Sequence, residues 1–150
     1  MGSERIQKAV TLFKAGCNCS QAVVAAYADA FGLDEPAAMR CSCGLGAGLG
    51  RLRETCGAVS GMAVLAGLKH GNVDPADAAG KRRTYEAVQK MAAAFRERYG
   101  SIVCRTLLGL DKAEDDPTPS ARTDAYYARR TCAEYVAAAA EIVERTLLTV

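Results

Sequence analysis

Hydrophobic positions along the chain recur at threes and fours, and no alternation of apolar and polar residues lasts more than a few positions. That period belongs to helices rather than strands. The first helix is predicted from the cap Ser3 to Gly16, with Ile6, Ala9, Val10 and Phe13 on one face. A second follows Ser20, turns Val23, Ala26, Tyr27 and Ala30 inward and stops at Gly32. A third opens after Asp34 with Pro36 in its first turn and dissolves into Gly44, Gly46, Gly48 and Gly50. The fourth runs from Thr55 to about His70, where Gly71 ends it. Asp74-Pro75 opens the fifth, in which Tyr85, Val88, Met91, Ala92, Phe95 and Tyr99 repeat until Gly100. A short turn follows Ser101, then an acidic, proline-containing loop over 111–124. The last helix carries Cys132, Tyr135, Val136, Ala139, Ile142, Val143 and Leu147. No internal repeat is visible. The expectation is an all-α, single-domain helical bundle of about five or six helices spanning 1–150.

Composition agrees with that reading. Half of the 150 residues are hydrophobic, 29 are alanine, none is tryptophan, and the four prolines fall between or at the starts of helices. Nineteen basic residues nearly balance 17 acidic ones, so there is no basic stripe of the kind nucleic acids require. The longest mostly apolar run, Gly57 to Leu68, is shorter than the roughly 20 residues that cross a bilayer. The first residues lack the apolar core of a secretory signal. A cytoplasmic protein that binds neither nucleic acid nor membrane is expected, with homo-oligomerisation left open.

Seven cysteines against one histidine make thiol chemistry the question. An odd number cannot pair completely, and a disulfide scaffold is a poor expectation in a reducing compartment. Cys19, Cys56, Cys104 and Cys132 each lie next to or shortly after a Ser or Thr that can open a helix; Thr131 and Glu134 offer a capping box for the last. Free amides and the macrodipole at a helix N-terminus favour an anion, and thiolate is the form that attacks electrophiles or binds metals. These four also fall in phase with the apolar stripes. Cys56 heads Val59, Ala63 and Ala66; Cys132 lines up with Val136, Ala139 and Val143; Cys19 with Val23 and Ala26; Cys104 with Leu107 and Leu108. Thiols entering a bundle from four segments can converge on one site. Against this stands plain packing, since free cysteine is often a small buried hydrophobe.

The stretch Gly50 to Gly61 is the richest in chemistry. Arg51 and Arg53 can bring positive charge to Cys56, Glu54 can hold an arginine, and Gly57 and Gly61 allow a close helix approach. Cys17 with Cys19 and Cys41 with Cys43 form Cys-x-Cys pairs, with no Cys-x-x-Cys anywhere, and packing is the favoured reading for Cys41 and Cys43. The alternating glycines lack the Lys-Ser/Thr ending and preceding strand of a phosphate loop. His70 is expected to cap the end of helix four rather than to serve a thiol.

Cys56-Gly57-Ala58-Val59-Ser60-Gly61 carries the pattern Cys-Gly-Ala-x-x-Gly, preceded by Asn18-Cys19-Ser20-Gln21 and followed by Cys104 and Cys132. In these residues the chain resembles the redox-active proteins labelled C_GCAxxG_C_C, over about residues 6 to 145. The resemblance implies a four-cysteine redox site of Cys19, Cys56, Cys104 and Cys132, with Arg51 and Glu54 in support. Three functions compete. A thiol redox protein would use Cys56 as thiolate and another core cysteine to resolve it, acting on a partner not specified by the sequence. A metal site ligated by the same four cysteines would hold zinc or a [2Fe–2S] cluster. A helical interaction domain would merely pack its cysteines.

Overall fold

The structure is a computed structural model that describes residues 3–110 and 115–148. These residues form eight α-helices: α1 (Glu4–Lys14), α2 (Cys19–Tyr27), α3 (Glu35–Cys43), α4 (Gly57–His70), α5 (Ala78–Tyr99), α6 (Cys104–Leu107), α7 (Asp124–Arg129) and α8 (Cys132–Val143). Only an isolated antiparallel bridge, Thr55 to Val103, interrupts the helical architecture among them. None of the described helices is long and apolar enough to cross a membrane.

α2 forms the centre. Eight of its nine residues are buried, and α1, α3, α4 and α8 pack around it. It can be approached so closely because α4 faces it with glycine. A methyl group on Gly61 would stand 3.2 Å from Val23 Cβ and 3.3 Å from the Ser20 carbonyl oxygen. The Tyr27 hydroxyl then ties α2 to α8, donating to the Ala140 carbonyl at 3.1 Å and meeting Glu144 Oε1 at 2.9 Å. Burial and this carboxylate raise the phenol pKa, so it stays a donor. On the far side Phe95, Tyr99 and Tyr135 form an aromatic cluster with centroids 4.8 to 5.9 Å apart, Tyr135 meeting the other two edge to face.

Several boundaries differ from the sequence reading, each for a local reason. α2 starts at Cys19 rather than after Ser20, because Asn18 and Gln21 close a reciprocal capping box. Cys56, not Thr55, is the N-cap of α4. Asp74-Pro75 forms a turn, Ala76 N–H bonding Asp74 Oδ1 at 2.9 Å, and α5 opens four residues later from its cap Asp77. Along α5 the 3.6-residue period aligns Thr84, not Tyr85, with Val88, Met91 and Phe95. Tyr85 is accordingly 62% exposed. The last helix is broken: α7 ends at Arg129, and α8 begins at Cys132 without a side-chain cap from Thr131. The capping box expected there is absent because Thr131 has ψ +17° in place of the extended backbone that Asn18 (ψ 170°) uses to cap α2.

Candidate functional site

Cys19, Cys56, Cys104 and Cys132 all line one cavity of about 610 Å³. Three of them begin helices, at the first positions of α2, α6 and α8, and Cys56 is the N-cap of α4. The cap-and-phase reading of the sequence therefore finds its counterpart in a common wall.

The chain brings two of these segments together by a short antiparallel pairing. Cys56 N–H bonds the Ile102 carbonyl at 2.7 Å, Cys104 N–H bonds Glu54 O at 2.6 Å, and Arg105 N–H bonds Arg53 O at 3.1 Å. Glu54 does hold an arginine, namely Arg105, at 3.1 Å. The approach to Cys56 is a left-handed backbone: φ is +55° at Ala47, +76° at Gly48, +72° at Leu49, +56° at Gly50, +69° at Arg51 and +62° at Arg53. L-residues pay about 1–2 kcal/mol each in that conformation, which normally appears as single residues. Backbone strain held by its surroundings clusters at functional sites. The same turn brings the Ala47 amide near the Cys19 sulfur, where it favours the thiolate. Successive amides in such turns form anion-binding concavities.

Gly57 explains the second half of the motif. A methyl group on it would stand 2.5 Å from Cys19 Sγ and 3.0 Å from the Leu45 carbonyl. Glycine lets the Cys19 sulfur lie against the α4 backbone, beside Cys56.

The two sulfurs share a hydrogen bond that separates their acidities. The Cys56 thiol donates to Cys19, and this bond, with amides of Ala47, Ser20 and Cys19 itself, outweighs burial and brings the Cys19 pKa from 9.0 down to about 6. The same bond, with burial and the neighbouring charge, pushes Cys56 well above its ordinary value. Thiolate character therefore falls on Cys19, whereas the sequence placed it on Cys56; the difference comes from the glycine-rich turn, which delivers an amide to Cys19. Burial raises Cys104, opposed by Arg53, whose Nη1 lies 3.8 Å from its sulfur. Arg53 thus attends Cys104 in place of Cys56. Burial and the neighbouring thiols push Cys132 up to about 12.

Among the described residues no three Cys, His, Asp or Glu side chains stand together in an arrangement that could hold a metal ion. The four cysteines share a cavity wall, but they do not close into the tetrahedral set that zinc or a [2Fe–2S] cluster needs. Cys17 is half-buried with its sulfur 3.9 Å from Met39 Sδ. Cys41 and Cys43 are exposed, not packed as expected, because they flank the buried Ser42 on opposite sides of α3; Cys43 reaches the rim of the cavity. His70 ends α4, away from the cavity.

Arg51 lines the cavity, and so do Arg122, Arg130 and Tyr126, which sequence reasoning passed over. Arg122 bonds the Phe13 carbonyl at 2.7 Å and the Cys17 carbonyl at 2.8 Å, and stacks 4.4 Å above the Phe13 ring. The one available signal was Thr123-Asp124 after it, a helix start that Thr123 indeed caps.

A helical bundle with four cysteines around one cavity, Cys19 and Cys56 buried at two helix N-termini, is a cysteine-site protein. The chain belongs to the C_GCAxxG_C_C family, described as "Putative redox-active protein", whose profile matches residues 17–146. The match begins after α1, later than the resemblance from residue 6 suggests. Comparison with curated proteins and with solved structures finds no match. The family description carries a redox-related role and no particular reaction.

Proposed function

We propose that the protein is a thiol–disulfide redox protein in which Cys19 attacks and Cys56 resolves. The observation that carries this reading is geometric: both sulfurs are buried at helix N-termini, and Gly57 lets Cys19 Sγ lie against the start of α4 beside Cys56, a contact that lowers Cys19 and raises Cys56. Such a pair supplies both parts of an exchange: a nucleophile ionised near neutral pH and a neighbour that delivers a proton, then closes the bond. Two electrons pass to the oxidised partner and Cys19–Sγ–Sγ–Cys56 forms. Cys104 and Cys132 remain protonated at neutral pH and give the cavity two further thiols.

Two measurements test this. Alkylation of the reduced protein by iodoacetamide should be fastest at Cys19 below pH 7, ahead of the exposed Cys41 and Cys43, with a rate that rises with pH about a midpoint near 6. Mild oxidation should remove two titratable thiols per chain, with peptide mapping joining Cys19 to Cys56. In Cys56→Ser the rapid alkylation should persist, because a serine hydroxyl still donates to the thiolate, while the internal bond disappears. A disulfide mapped between Cys104 and Cys132 instead would refute the assignment.

Linkage gives a matching stability profile. Cys19 is more acidic folded than unfolded, so its contribution is present above its ordinary value near 9.0 and is lost as pH falls through about 6. Cys56 has the opposite shift, and stability falls again once the unfolded thiol ionises. Reduced protein should therefore be most stable near pH 8–9 as far as this pair is concerned. Urea midpoints for wild type against the Cys19→Ser,Cys56→Ser double variant read that difference.

A further inference from the structure

The sulfurs are hidden from large partners. Cys19, Cys56 and Cys104 are 9%, 5% and 7% exposed, and the route to them is the cavity, about 610 Å³. Exchange requires the attacked sulfur to reach the thiolate directly. A disulfide on a folded protein surface cannot enter such a space, whereas cavities of roughly 300–1,000 Å³ are of the size that encloses a small organic molecule.

The lining describes that molecule. Phe13, Tyr126 and Tyr135 give it flat apolar walls, with Leu107 and Leu108 beside them. No described lining residue is Asp or Glu, while Arg122 and Arg130 both face the cavity. Tyr126 lies between these two guanidiniums, 5.0 Å from Arg122 and 6.0 Å from Arg130. Neither makes an ion pair with a carboxylate among the described residues. Half-buried guanidiniums facing a space without acidic walls are fitted to receive a carboxylate or similar anion.

We infer that the cavity takes a small organic acid with a flat apolar body and a disulfide bond, reduced there by the Cys19–Cys56 pair; this rests on the exchange function above. The Cys19 thiolate attacks one sulfur of the substrate, its S–S bond breaks, and the departing thiolate takes the Cys56 proton. Cys56, now ionised, attacks Cys19 Sγ and releases the second half as thiolate. Two electrons have moved from the protein's thiols to the substrate, and charge is conserved.

The test compares two aromatic disulfides on the reduced full chain: dianionic 5,5′-dithiobis(2-nitrobenzoate) and neutral 4,4′-dithiodipyridine, each rate divided by its rate with glutathione. The acid should react saturably and be preferred by about tenfold, one well-placed charged contact. Arg130→Gln should raise KM for the acid about tenfold with the limiting rate kept, leave the neutral probe unchanged, and be rescued by Arg130→Lys. Insulin, a protein disulfide, should react no faster with wild type than with Cys19→Ser. Equal normalised rates for the two probes, an unchanged KM in Arg130→Gln, or rapid attack on insulin overturns the proposal while leaving the exchange function standing. If neither probe yields the internal Cys19–Cys56 bond, the exchange function itself fails, and this inference with it.

Discussion

Cys19→Ser should lower the protein's total alkylation rate at pH 6.5 by about tenfold, the exposed Cys41 and Cys43 carrying the remainder, while leaving far-ultraviolet circular dichroism unchanged. The size follows from ionisation, offset in part by the greater nucleophilicity of more basic thiolates: a thiol with a pKa near 6 is mostly thiolate at that pH, whereas an ordinary cysteine at about 8.5 is roughly 1% ionised. The fold should survive because serine is nearly the same size and its hydroxyl can bond the amides that now face the sulfur. Quantifying carbamidomethyl adducts per cysteine by mass spectrometry, at pH 5.5 to 8, separates this from a general loss of accessibility. Rapid labelling that persists in the variant at Cys56 would return the nucleophile to the position indicated by the sequence.

Gly48→Ala should be the most damaging single substitution in the glycine-rich turn. Its φ of +76° is unfavourable to a side chain, and the new methyl would stand 2.6 Å from Arg53 Cα, 2.7 Å from Glu54 N and 2.7 Å from Cys104 Cβ. Two of these are backbone atoms in the pairing that joins Cys56 to Cys104 and cannot rotate away. Overpacking plus the left-handed penalty comes to about 3 kcal/mol, a fall in Tm of about 10 °C for a chain of this size. Gly109→Ala is the control. Its φ is +69° but nothing lies within 4 Å of the added methyl, so it should cost only about 1 kcal/mol. Similar losses at the two positions would show that handedness, not contact with Arg53, Glu54 and Cys104, decides the cost.

The helical architecture was legible because it depends on local periodicity: Val23, Tyr27, Met91, Phe95, Val136 and Val143, all fully buried, declare themselves by spacing. The four cavity cysteines were legible for the same reason, through caps and phase. What sequence could not supply were relations between segments. The charge falls on Cys19 through amides from two segments and a thiol from a third, and no pattern within either helix announces that Ala47 turns an amide toward it. Arg122 and Arg130 belong to the same category. In the chain they border an acidic loop; in the fold they face the thiols across more than a hundred residues of sequence from Cys19. Gly57 lay between the two cases. Its role as a helix contact was readable, its contact with the Cys19 sulfur was not.

The pairing of Cys56 with Cys104, the Ala47 turn and the start of α2 also fix when reactivity appears. Each ingredient of the acidic thiol comes from a different part of the chain, and loops of tens of residues must close before they meet. A chain emerging from synthesis or recently unfolded holds Cys19 as an ordinary, mostly protonated thiol. Oxidants met during that interval find no privileged target, and the acidic thiol exists only once the last long-range contacts have formed. Completion of folding is thus its own activation step.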